Sequence, residues 1–109
     1  MKTISHPTDP TARLIRRMLQ NHRLDKIEMT VTLQLNVARA IPASYHPVVA
    51  KRRDEAYAMR SGSISLDEAT AINEAARDGS VAIATGKTML MALTNLEAQL
   101  VAFEAEWKA

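Results

Sequence analysis

The chain has no cysteine. Disulfides, thiolate zinc sites and a cysteine nucleophile are therefore excluded. Aromatic residues are scarce, with one Trp, two Tyr and one Phe in 109 residues. The core must be built from Leu, Ile, Val, Met and Ala, which suits helices better than a sheet sandwich. No uninterrupted apolar run approaches the roughly 18 residues of a membrane span. The opening MKTISHPTDP lacks the apolar core of a signal peptide. These absences lead us to expect one soluble, unprocessed, cytoplasmic domain over residues 1–109, of the size of a bacterial or phage accessory protein.

The chemistry of catalysis is also missing. His6, His22 and His46 lie far apart, and none stands at helical spacing from another histidine, as a metal site would ask. Two of them precede proline, a turn context, and we expect all three to be exposed. No serine sits in a G-x-S-x-G elbow. Glu104 and Glu106 fall on different faces of a helix, so they make a poor carboxylate pair. Gly86-Lys87-Thr88 suggests a phosphate loop, but Val81 stands where that motif needs its first glycine. We expect no enzyme, no metal and no cofactor.

What the sequence does have is a long apolar seam. Steps of three and four residues from Ile72 meet Ala75, Gly79, Ala82, Gly86, Met89, Leu93, Leu96, Leu100, Phe103 and Trp107. Every one is apolar or glycine, the spacing that keeps one helix stripe turned towards a partner. Ser65-x-x-Glu68 is a capping box that would open this helix. The seam predicts a helix over about 66–108, continuous or kinked near Asp78-Gly79. It predicts self-association through Gly79, Ala82, Gly86, Met89, Leu93, Leu96, Leu100, Phe103 and Trp107. The expected fold class is all-α, a small helical bundle or hairpin assembled into an oligomer.

Upstream, Asp9 is a good N-cap and Pro10 fits the first turn of a helix to about Asn21. Ser44 or His46 can cap a second helix from Pro47 to about Arg60, with Gly62 as its stop. Residues 24–41 carry two patterns. Ile27, Met29, Val31, Leu33, Leu35 and Val37 alternate with polar residues, as in a strand. Leu24, Ile27, Val31, Leu35, Ala38 and Ile41 form a helical stripe. Helix is the reading adopted; the alternative is α+β, with one strand at about 27–36. In that alternative KIEMTVTLQL resembles the opening strand of ribbon-helix-helix DNA-binding proteins. The resemblance covers about ten residues and implies a strand paired with its copy in a dimer. Pro42 and Pro47 interrupt the helices that should follow.

Charge divides the chain. Residues 1–60 hold eleven basic and five acidic residues, and residues 61–109 three basic and seven acidic. This asymmetry points to an anionic partner for the basic half, or to electrostatic contact between the halves. Arg13, Arg16, Arg17 and Arg23 recur on the first helix or just after it, and Lys26, Lys51, Arg52, Arg53 and Arg60 add to them. Arginine favours bidentate phosphate contacts. The expected function is a non-enzymatic regulatory or binding protein meeting nucleic acid through these residues. Alternatives are a module or inhibitor that binds another protein, and a binder of a small phosphorylated ligand, such as a nucleotide, at a subunit interface.

Overall fold

The computed structural model describes residues 9–108, without the side chains of residues 107 and 108. The order of elements is α1 (Pro10–Asn21), β1 (Leu24–Thr32), β2 (Leu35–Pro42), α2 (Pro47–Ala58), α3 (Leu66–Arg77), β3 (Ala82–Gly86) and α4 (Met89–Lys108). The three strands form one antiparallel sheet in the order β1-β2-β3. The chain is α+β, which corrects the expected all-α helical bundle. The strand alternative is met in part, since residues 24–42 form two strands rather than one.

Two local facts explain the correction. The first is a turn without the usual turn residues. Leu33 and Gln34 both take positive φ, 49° and 69°, the conformation of a tight two-residue hairpin that commonly selects Asn-Gly. The turn also inverts parity. Ile27, Met29 and Val31 share a face with Asn36, Ala38 and Ala40, their cross-strand partners. Leu35, Val37 and Ile41 are therefore turned to the opposite face.

The second fact is the break of the long seam. α3 ends at Asp78, whose N–H bonds back to the Ala75 carbonyl. Gly79 follows at φ 87°, a left-handed turn that glycine enters at least cost. Ala82 to Gly86 then extend and pair with β2. Ala82 and Gly86 lie four residues apart, a spacing that keeps one face in a helix and in a strand alike. The seam thus stays in phase through a segment that is not helical.

α1 and α4 both pack on one face of the sheet, α1 over β1 and α4 over β2 and β3. Met18, Leu93, Leu96 and Leu100 are the largest fully buried side chains, closing on Ala38, Ala40 and Ala84. Three small alanines let two helices approach the sheet closely without aromatic filling. α2 and α3 pack chiefly on each other and stay outside this core. They leave from the end of β2 opposite the hairpin tip, and the molecule is drawn out to 55 × 35 × 28 Å.

Candidate functional site

Helix caps account for much of the local order. Asp9 accepts from the Thr11 N–H at the start of α1. The Ser65–Glu68 capping box opens α3 as its spacing predicts. His46, not Ser44, caps α2, its Nδ1 accepting from the Val48 N–H at 3.0 Å. Thr88 caps α4, its Oγ1 accepting from the Met91 N–H at 3.0 Å. A Cβ on Gly86 would stand 2.4 Å from the Ala92 nitrogen. This close contact is between strand and helix, and α4 itself fills the space above the glycine.

Most of the nine basic candidates have work within the chain. Arg17 donates a two-bond fork to Glu97, Nε–Oε2 at 2.7 Å and Nη2–Oε1 at 2.9 Å. That pairing holds the Glu97 carboxyl below its ordinary range and raises the Arg17 guanidinium further. Arg52 donates to the carbonyls of Asp78 and Ser80 at 2.9 Å and Ala76 at 3.4 Å, closing the C-terminal end of α3. Arg60 pairs with Glu68. Lys26 lies 3.4 Å from Glu28, and Arg53 lies 3.8 Å from Asp54. Lys51 is exposed on α2. Arg13, Arg16 and Arg23 are exposed and have no ion-pair partner among the described residues. The structure therefore gathers no nine-residue basic face.

The seam residues are dispersed as well. Gly79 lies in a loop, and Ala82 and Gly86 lie in β3. Leu93, Leu96 and Leu100 face the chain's own core, where α1 and the sheet cover them. Met89 remains 45% exposed. Phe103 is half-buried and stacks on His46, with ring centres 6.3 Å apart. The Trp107 side chain and His6 lie outside the described residues.

Three surfaces emerge that the periodicity did not announce. One is the outer edge of β1. In an antiparallel ladder closed by a two-residue turn, alternate residues turn their N–H and C=O away from the partner strand. Here these are Ile27, Met29 and Val31, on a strand with no neighbour on that side among the described residues. On α1, away from Leu90 and Thr94, lies a cavity of about 460 Å³ to which no β1 residue contributes. Ala12, Ile15, Leu19 and Met89 line it, with Arg16 at its rim. Val31 on β1 is 71% exposed, and Leu33, at the hairpin tip, is 91% exposed.

The second surface is the sheet face turned from the helices. It presents Leu35, Val37, Ile41 and Ile83 among Thr30, Thr85, Glu28 and Arg39. The Arg39 Nε is buried and has no hydrogen-bond partner among the described residues. No aromatic residue stands on this face, so it offers no platform for stacking bases. The third is a polar cleft of about 560 Å³ between α2 and α3, lined by Ser44, Arg53, Thr70, Asn73, Glu74 and Arg77 among others.

His22 and His46 are buried, against the expectation that both are exposed. The His22 Nδ1 has no hydrogen-bond partner among the described residues and lies 3.6 Å from the Glu104 Oε1. Burial lowers the His46 pKa from its ordinary value, and Arg23, Arg52 and His22 act in the same direction against Glu104. No spacing rule could find this cluster, because its members come from the ends of α1, α2 and α4. Among the described residues no group of acids and histidines is arranged to hold a metal ion. No helix among them is long and apolar enough to cross a membrane. No protein-family model, curated protein or solved structure matches the chain.

Proposed function

We propose that the chain is a non-enzymatic binding module whose partner is a protein, engaged along the free edge of β1. The observation that carries this reading is that edge, which has no neighbouring strand among the described residues. Open backbone groups at Ile27, Met29 and Val31 can accept an added strand. Exposed Val31 and Leu33 add apolar surface towards the hairpin tip. The cytoplasm as compartment belongs to the same proposal.

The test compares two variants in affinity capture. Val31→Pro removes one edge donor while leaving the ladder to β2 intact. It should abolish capture of a partner that Arg13→Glu with Arg16→Glu still retains. Equal capture by the parent and Val31→Pro refutes the reading. Self-association belongs here too, since a second copy could pair with the same edge. Light scattering on the parent and Val31→Pro distinguishes a like partner from an unlike one.

A second reading is favoured by Arg13, Arg16 and Arg23, which have no ion-pair partner among the described residues. They would meet nucleic-acid phosphates, and the affinity would then fall steeply with salt. The parent should bind duplex at about 50 mM salt, where such contacts are strong, and Arg13→Glu with Arg16→Glu should lose that binding. No binding by the parent removes this reading.

A further inference from the structure

The α2–α3 hairpin meets the rest of the molecule at a joint made of two buried histidines and one carboxylate. His46 is 2% exposed and His22 is 7% exposed. The His46 ring does two things at once. Its Nδ1 accepts the Val48 N–H and so caps α2, and its plane stacks on Phe103 of α4. An accepting Nδ1 carries no proton, so His46 in this arrangement is the neutral tautomer with its proton on Nε2.

Charged groups face this ring from every side. Glu104 belongs to α4, His22 and Arg23 follow α1, and Arg52 belongs to α2. We infer that this joint is a pH-operated hinge, at which protonation of His46 releases the α2–α3 hairpin from α4 while the sheet and the α1–α4 core stay folded. A proton on Nδ1 turns an acceptor into a donor aimed at the Val48 N–H, so the cap is lost. It also places a positive charge at the positive end of the α2 dipole, beside two arginines. The His22 Nδ1 lies 3.6 Å from the Glu104 Oε1, so the same carboxylate faces both histidines of the joint.

α2 and α3 contribute nothing to the main core cluster. Loss of the joint therefore leaves the packing of that cluster itself in place. Burial of neutral His46 places its response on the acid side of the ordinary histidine range.

The absence of cysteine makes the test direct. Ala58→Cys on α2 and Ala105→Cys on α4 replace exposed residues and take one spin label each. Distances between the labels are measured at about pH 7.5 and about pH 5, on either side of the histidine range. A longer, broader distance population should grow on acidification by on the order of fivefold, the effect of losing one N-cap. His46→Asn keeps a capping oxygen without a titrating ring, and it should hold the short distance at both pH values. His46→Ser serves the same purpose if the asparagine variant does not fold. Glu104→Gln removes the acid that favours the proton and should move the midpoint to lower pH. An unchanged distance in the parent, or the same acid response in the capping variants, overturns the inference.

Discussion

Replacing Gly86 by alanine adds one methyl group to a place with no room for it. The new Cβ would lie 2.4 Å from the Ala92 nitrogen and 2.8 Å from the Met91 carbonyl carbon and Cβ. Two of these three atoms are backbone, so rotation of a side chain cannot relieve the contact. Ordinary contact would require the first turn of α4 to move by about 1 Å from β3, since atom pairs settle near 3.5 Å. That turn is held by the Thr88 cap and by Asn95, whose Nδ2 donates to the Thr85 carbonyl at 2.8 Å. Helix α4 also carries Leu93, Leu96 and Leu100 into the core, so the shift spreads into packing. Overpacking of this kind costs about 1–3 kcal/mol, and we place Gly86→Ala at the upper end. In urea, where a small domain loses about 1–3 kcal/mol per molar denaturant, the midpoint should fall by about 1 M or more. Gly62→Ala is the control. Its Cβ would meet nothing within 4 Å, though φ is 79°, so it should lose only the ~1 kcal/mol of a left-handed non-glycine residue. If Gly86→Ala unfolds at the same urea concentration as the parent, the tight strand–helix contact is not as described.

Other outcomes follow from named contacts. Arg52→Met removes the donors to three carbonyls and should cost about 1.5–3 kcal/mol, with hydrogen exchange rising first in the last turn of α3. Arg17→Ala breaks an exposed pair, and its melting temperature should stay near that of the parent. The pH profile has a defined sign at His46. Its folded pKa lies below the unfolded value of 6.5, so its contribution is present above that value and is lost as pH falls through the folded one. Differential scanning calorimetry should show the melting temperature declining as pH drops below about 6.5, and His46→Asn should flatten this limb. Glu97 adds a second loss at lower pH, since its pairing with Arg17 holds its pKa below 4.5.

Legibility in the sequence followed how local the cause was. The start of α1 and the capping box of α3 depend on neighbours within a few residues and could be read directly, and the cap of α2 was narrowed to Ser44 or His46. The hairpin could not, because Leu33 and Gln34 carry no turn signal and a backbone at φ 49° is unexpected for leucine. β3 was hidden by the four-residue spacing of Ala82 and Gly86. Its reason to be a strand lies in β2, some forty residues away. The buried histidines escaped for the same cause, since the cluster exists only once α1, α2 and α4 converge. Arg17 shows the limit of charge reading. No acid on its own helix neutralises it, and Glu97, eighty residues later, does.

The pairing of β2 with β3 has one more consequence. Ala40 opposes Ala82, and the Val81 N–H bonds the Ala40 carbonyl at 2.7 Å. The chain therefore leaves the sheet after Pro42 and returns to almost the same spot. Everything between, α2 and α3 included, is an excursion that begins and ends at one doorway. Without it the strands would be joined as a plain three-stranded meander beneath two parallel-running helices. In modular terms, residues 43–80 are a cassette carried by a scaffold that is complete without it. Insertions with adjacent ends generally tolerate changes of length, and such a change here would leave the register of the three strands as it is.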